Sequence, residues 1–492
     1  MINRAFWLLV LLYFLTRLPW LFMVPMVEAP DEFSHFWVIK FLLDHNMRLP
    51  EYSEIIAGGP SGVYGSLPQM GYIPHVIAGA VGHVIAPNAD LSLTERFGSL
   101  FTGLVLLWCS SEFGRKLFGA DKMLSLALPL MVIFHPQLVL LHSYANSDST
   151  TASLSAGIML LVCRMMENGL KTKYSLWLGL LLGWVILTKY PGVSVYPSCA
   201  IGFVLAAWLN RQSLKTLLAQ AFLTAATTAA ASVWWFVRSA RILSGDFLGT
   251  KTMFHTWAVT YNKPLDPDFK VWAIIKNHRW WRMTTWSYWG QFGYMTRDLP
   301  HAFYYIYMGF MYTAAGGAIL RLALPAKNGD RKILSPLSSE ERKGRFGLAR
   351  AWIVRAACII PNIAIMEYAR TKNALKTSLA TLKNSPALSS EERKARFGQA
   401  GIWIVLAACF LTNVSLMVYA QTKNLGGAQG RYLFPSEIPI IALILGGLYL
   451  TGEKARKPLI LTLVAFNVIV YFYSCWMLSH VAGYCPHWLK TY

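Results

Sequence analysis

Five polar stretches interrupt an otherwise apolar chain, and they hold its chemically capable residues: EAPDEFSHFW (28–37), YANSDST (144–150), TKYPG (188–192), WSYWGQFGYMTRDLP (286–300) and GGAQGRYLFP (426–435). A carboxylate such as Asp31 can take the proton of an acceptor hydroxyl within hydrogen-bond reach. Lys189 and Arg431 can hold a phosphate, and the planar fork of an arginine suits that task well. A phosphate leaving group needs charge stabilisation rather than a proton. Displacement at the anomeric carbon of a sugar phosphate therefore asks for one base and a basic clamp, not the carboxylate pair of a hydrolase.

Each residue also has a plainer reading. Pro30 suits a first helical position, which puts Asp31 and Glu32 in the first turn of a helix, where they complement its dipole. Asp31 and His35 share an i, i+4 face and either ligate a divalent metal or form an ion pair. Asp148 is a second base, a metal ligand or a loop cap following Asn146. Lys189 clamps phosphate or snorkels to a membrane interface. Trp286, Tyr288 and Trp289 stack on a sugar ring or sit in an interfacial aromatic belt. His35, Trp289, Gln291, Gln429 and Tyr432 complete the candidates for substrate contact. Metal ligation is open, with Asp31, His35 and Asp148 as candidates, and no other cofactor is indicated.

The elements that must position these residues are apolar helices. Of the 492 residues 55% are hydrophobic and 14% charged, against roughly 25% charged in soluble proteins. Windows long enough to cross a bilayer, about 20 apolar residues, recur at 5–25, 96–114, 121–143, 149–165, 174–190, 192–208, 214–236, 302–323, 399–420, 432–451 and 457–479. An all-α polytopic membrane protein of about eleven transmembrane helices is expected. The net charge of +21 does not indicate nucleic acid, because the cations sit in short loops: Arg115, Lys116 and Lys122; Arg164, Lys171 and Lys173; Arg211 and Lys215; Lys454, Arg456 and Lys457. That pattern follows the positive-inside rule with the N-terminus cytoplasmic. Loops 26–95 and 238–301 then fall on the extracytoplasmic face, and all five polar stretches collect there. Residues 71–86 are too short for a span and read as a surface or re-entrant helix. Seven cysteines show no CxxC or Cys/His spacing.

Residues 337–373 repeat at 388–424, with 24 of 37 positions identical at an offset of 51. If both copies spanned, the loops after them would break the charge rule. The first copy also carries Arg350, Arg355, Pro361 and Glu367 where the second has Gly401, Leu406, Thr412 and Val418. A charge at a helix centre costs about 2.5–3.5 kcal/mol on insertion scales. The expected organisation is a transmembrane core at 1–323, a cytoplasmic basic insert at 324–398 lying on anionic lipid, and C-terminal transmembrane helices at 399–492.

PDEFSHF followed by RLP, then NSD, YWGQFGY followed by LP, and QGRYLFP, in that order, resemble the GT-C superfamily of integral-membrane glycosyltransferases. They are closer still to a little-characterised bacterial family of membrane proteins in that clan. The resemblance covers about 1–323 and 399–479. It implies a GT-C-like bundle with extracytoplasmic loop helices, in the bacterial cytoplasmic (inner) membrane, with its active site on the extracytoplasmic face. It also implies a polyprenyl-phosphate-linked sugar donor and a glycan, lipid or protein acceptor of the cell envelope. Asp31, with Glu32 beside it, matches the position of the catalytic base, and Asp148 matches a second acidic position. Arg431 matches the donor-phosphate ligand, with Lys189 as its partner. The expected activity is inverting sugar transfer. The alternatives are a transporter or flippase of lipid-linked glycans, which calls for charges along a path through the helices, and a non-catalytic envelope-assembly scaffold.

Overall fold

The structure is a computed structural model that describes residues 4–26, 28–119, 121–261, 270–323, 389–422 and 427–481. The chain runs α1 (Arg4–Met23), α2 (Glu32–Asp44), α3 (Ile73–Ile85), α4 (Phe97–Phe118), α5 (Lys122–Phe134), α6 (Pro136–Leu141), α7 (Ser147–Asn168), α8 (Thr172–Thr188), α9 (Val195–Leu209) and α10 (Leu214–Ile242). It continues through α11 (Thr250–Tyr261), α12 (His278–Gly290), a hairpin of β1 (Gln291–Phe292) and β2 (Arg297–Asp298), α13 (His301–Ala323), α14 (Ser390–Thr422), α15 (Glu437–Tyr449) and α16 (Glu453–Ser479). Among the described residues eight helical segments are long and apolar enough to cross a membrane. α5, α8 and α13 stand where the other three expected spans fall, so the all-helical membrane class is as expected. α3, at 13 residues, is about 20 Å long and falls short of a ~30 Å hydrocarbon core.

One expected span differs. Residues 121–143 are not a continuous helix, because Pro136 has no N–H and its ring excludes the α conformation from the residue before it. α5 ends at Phe134, His135 is extended, and α6 starts at Pro136. A helix end inside an apolar bundle leaves carbonyls that nothing in lipid can satisfy. Here side chains from other helices take them. Asn467 donates to the Met131 carbonyl at 3.1 Å. Arg17, fully buried in α1, donates to Val132 at 2.8 Å and also to Ile133. The break also turns the His135 ring toward α12 and α15. Its Nδ1 meets Glu437 at 2.9 Å and its Nε2 meets the Tyr288 carbonyl at 2.7 Å. The Tyr288 hydroxyl donates to the other Glu437 oxygen at 2.7 Å.

A second buried knot joins the start of α2 to the core. Arg96 grips both oxygens of Glu32 at 2.7 Å and donates to the Leu21 carbonyl in the last turn of α1 and to the Val24 carbonyl just past it, at 2.8 Å each. The Ala145 N–H reaches the same carboxylate at 3.1 Å. The loops 26–95 and 238–301 pack on each other, through Ser66 to the Gly249 carbonyl at 2.9 Å and through the Tyr64 and Trp257 rings. The second repeat copy forms α14, whereas the first lies outside the described residues.

Candidate active site

Asp31 sits just ahead of α2 with φ 60° and ψ 13°. This left-handed conformation is one that aspartate tolerates better than most side chains. Its backbone carbonyl accepts the Ser34 and His35 N–H groups, and its own N–H donates to the Tyr294 hydroxyl at 3.3 Å. The carboxylate makes no cap hydrogen bond to the helix it precedes. It meets Arg431 Nη2 at 2.5 Å, across 400 residues of chain.

Arg431 arrives by a close approach. A Cβ on Gly430 would stand 2.1 Å from the Tyr288 nitrogen, so only glycine lets this turn press against α12. There the Gly430 N–H donates to the Ser287 hydroxyl at 2.7 Å. The Arg431 side chain is 9% exposed. Its Nε and Nη1 are buried, and the Tyr144 hydroxyl lies within reach of the guanidinium. Pro30, Asp31, Gln137, Ser287, Gln291, Tyr294, Met295, Gln429 and Arg431 line an open cleft of roughly 50 Å³.

A second ion pair stands alongside. Lys189 meets Asp148 at 2.8 Å, with Asp148 only 4% exposed at the first turn of α7. Lys189 and Arg431 both lie against the Tyr432 ring, at 5.7 and 5.5 Å from its centroid. The structure thus brings Asp31, Arg431, Lys189, Asp148 and Tyr432 together. Burial pushes the Asp31 carboxyl up, but the adjoining Arg431 charge and hydrogen bond outweigh it and hold the group at about 2.

Other candidates are placed differently. Glu32 is fully buried in its pair with Arg96; burial pushes its carboxyl up against the pull of that arginine. His35 is buried behind Asp31, with Nδ1 2.7 Å from the Tyr72 hydroxyl. Burial, reinforced by the Lys189 charge, holds its pKa well below the usual value, so the ring is neutral. Trp289 is 1% exposed and stacks on Tyr307 at 3.9 Å, and Trp286 stacks on Tyr304 at 4.5 Å. Both rings are core rather than cleft. Gln291 and Gln429 reach the cleft. The Gln291 amide also donates to Asp298 at 2.5 Å across the hairpin. Asp31, His35 and Asp148 do not converge as ligands, and no group of three or more His, Cys, Asp or Glu suited to a metal occurs among the described residues.

Three residues of the site were not singled out in the sequence, although two of them, Tyr294 and Met295, lie in the 286–300 stretch. Gln137 reads as the middle of an apolar run, yet the helix break frees it to accept the Gln291 N–H at 2.8 Å. Tyr294 and Met295 follow Gly293 in a turn with φ of 53–66° at all three positions, which carries Tyr294 to Asp31. Glu28 ties that hairpin down through Arg297 at 3.3 Å.

Residues 88–236, the stretch that supplies Asp148 and Lys189, match the family model described as dolichyl-phosphate-mannose-protein mannosyltransferase. No curated protein matches the chain. Among solved structures, ArnT from Cupriavidus metallidurans bound to undecaprenyl phosphate is 13% identical, with a TM-score of 0.39 over 92% of this chain and 78% of that one. Its apo state gives 13% and 0.38 over 93% and 79%. The match over 88–236 bears out the similarity to GT-C glycosyltransferases that the sequence motifs carry.

Proposed function

We propose that the protein is an inverting membrane glycosyltransferase that moves a sugar from a polyprenyl phosphate to an acceptor hydroxyl of the cell envelope, on the extracytoplasmic face of a bacterial inner membrane. One observation carries this reading: a nearly buried guanidinium and a carboxylate one quarter exposed are paired in the lining of one cleft. Arg431 holds the donor phosphate through its guanidinium fork, whose paired N–H groups match two phosphate oxygens. Lys189, across the Tyr432 ring, adds positive charge. Asp31 takes the acceptor proton. The acceptor oxygen bonds to the anomeric carbon as that carbon's bond to the phosphate oxygen breaks, and polyprenyl phosphate leaves as an anion with the configuration inverted. Gln291, Gln429 and Gln137 offer amide donors and acceptors to sugar hydroxyls. Asp148 keeps Lys189 in place. Glu32 and His35 support the turn that presents Asp31, and Trp289 belongs to the packing beneath it.

The test is transfer by the purified protein in lipid nanodiscs from a panel of radiolabelled polyprenyl-phosphate sugars, scored as glycosylated acceptor or released sugar. Wild type transfers or hydrolyses at least one donor, and Asp31→Asn and Arg431→Ala each lose at least a hundredfold, in the range usual for a general base or a charge-stabilising donor. A folded Asp31→Asn variant that is as active as wild type removes the base assignment.

A further inference from the structure

The cluster at the cleft is electrically complete without substrate. Two cations, Arg431 and Lys189, face two carboxylates, Asp31 and Asp148, and 2 − 2 leaves no net charge for an incoming anion. The neutral His35 behind Asp31 and the Tyr294 hydroxyl in front of it do not alter that sum. The two pairs are not equally fixed. Asp148 is 4% exposed and Lys189 19%, whereas the Asp31 carboxylate is 26% exposed at the mouth of the cleft. Arg431 is held on the Asp31 side through Nη2, the nitrogen shared by both bidentate forks of a guanidinium, Nε/Nη2 and Nη1/Nη2.

Resting on the donor-phosphate reading above, we infer that Asp31 is a built-in counter-ion of Arg431 that the donor's phosphate displaces, so that binding the phosphate is what frees the base. Asp31 and the phosphate compete for one guanidinium. With Arg431 turned to the phosphate, Asp31 loses the charge and hydrogen bond that make it a poor proton acceptor, and it gains basicity only once a leaving group is in place. Lys189 stays with Asp148 throughout. The ligand class is a lipid monophosphate. The order is fixed as donor before proton transfer.

This competition gives a binding signature separate from catalysis. Farnesyl monophosphate is titrated into the full-length protein in phosphatidylcholine nanodiscs, with inorganic phosphate as a parallel probe to separate headgroup from chain. Removing the competitor in Asp31→Asn tightens farnesyl phosphate binding about tenfold over wild type, equivalent to 1.4 kcal/mol, and Arg431→Gln abolishes it. Asp31→Gly repeats the gain in a variant whose backbone suits the left-handed turn, which guards against a misfolded asparagine variant. Unchanged or weaker binding in both carboxylate-free variants overturns the inference, since it makes Asp31 a bystander or a support for the arginine. Failure of wild type and both variants to bind either probe overturns the donor-phosphate reading along with it. Binding of farnesyl phosphate without the tenfold gain leaves that reading standing and sinks only the exchange.

Discussion

Asp31 is held in its ionised form by Arg431, and this has a consequence for pH. A carboxyl lowered from 3.8 to about 2 on folding contributes stability that is fully present above 3.8 and disappears as pH falls through about 2. The gap in unfolding midpoint between wild type and Asp31→Asn is therefore flat from pH 8 to about 4.5 and closes below 3.8, as thermal scans in detergent will read. A gap that instead changes between pH 5 and 8 places the relevant titration elsewhere. Asp31 and Arg431 were both legible as candidates, because a carboxylate after the first helix and an arginine in QGRYLFP break apolar surroundings. That they bond each other was not, since 400 residues separate them and neither motif carries its partner's identity. Arg96 and Gln137 were illegible for a related reason. Neither stands in a recognisable motif, and their roles exist only through the three-dimensional ends of α1 and the α5–α6 break.

At the scale of elements, polar side chains from one helix finish the ends of another. Arg96, just ahead of α4, caps α1 and fixes α2; Arg17 of α1 and Asn467 of α16 finish α5. A buried ion pair is strongly destabilised when one partner is lost, by about 3–5 kcal/mol, yet replacing both by apolar groups is often neutral. Glu32→Leu alone strands Arg96 at 5% exposure, and Arg96→Leu alone strands Glu32 and frees two helix-end carbonyls. Each single variant lowers the unfolding midpoint markedly, and Glu32→Leu/Arg96→Leu is less damaged than the sum of the singles. The double-mutant cycle measures this, and strict additivity refutes the coupling. The all-helical class and the number of apolar segments were readable because periodic apolar runs near 20 residues have few other uses. The break at His135 was missed because Pro136 sits in a run whose hydropathy stays high on both sides, and hydropathy is blind to a lost N–H.

At the scale of the whole molecule, the geometry of the bundle constrains what the repeat can do. α13 begins at His301, whose ring lies 4.7 Å from Trp286 near the cleft. By Gly317 it packs on Gly447 and Thr451, at the far end of α15. α14 starts at that far end too, with Ser390 donating to the Leu209 carbonyl at 3.1 Å, at the close of α9, and Gln399 donating to the Leu117 carbonyl at 2.9 Å, at the close of α4. It then runs back toward Arg431. The chain therefore leaves α13 and enters α14 on the same side of the bundle, so any crossings in between are even in number. Deleting 337–387, one 51-residue period of the repeat, leaves 15 residues between Ala323 and Ser390 (66 − 51), which reach about 50 Å when extended. With the crossing number zero, as the charge pattern predicts, the deletion keeps Arg431 opposite Asp31 and leaves farnesyl phosphate binding within about twofold of wild type. With two crossings, the deletion removes both, because the 15 residues it leaves are fewer than the ~20 a span needs, and everything after α13 keeps its orientation. Single cysteines placed along 348–368 and labelled from each side of the membrane separate these two cases: labelling from the cytoplasmic side throughout supports the surface placement of the insert, and a shielded stretch of about 20 positions with labelling from the opposite side beyond it rejects that placement.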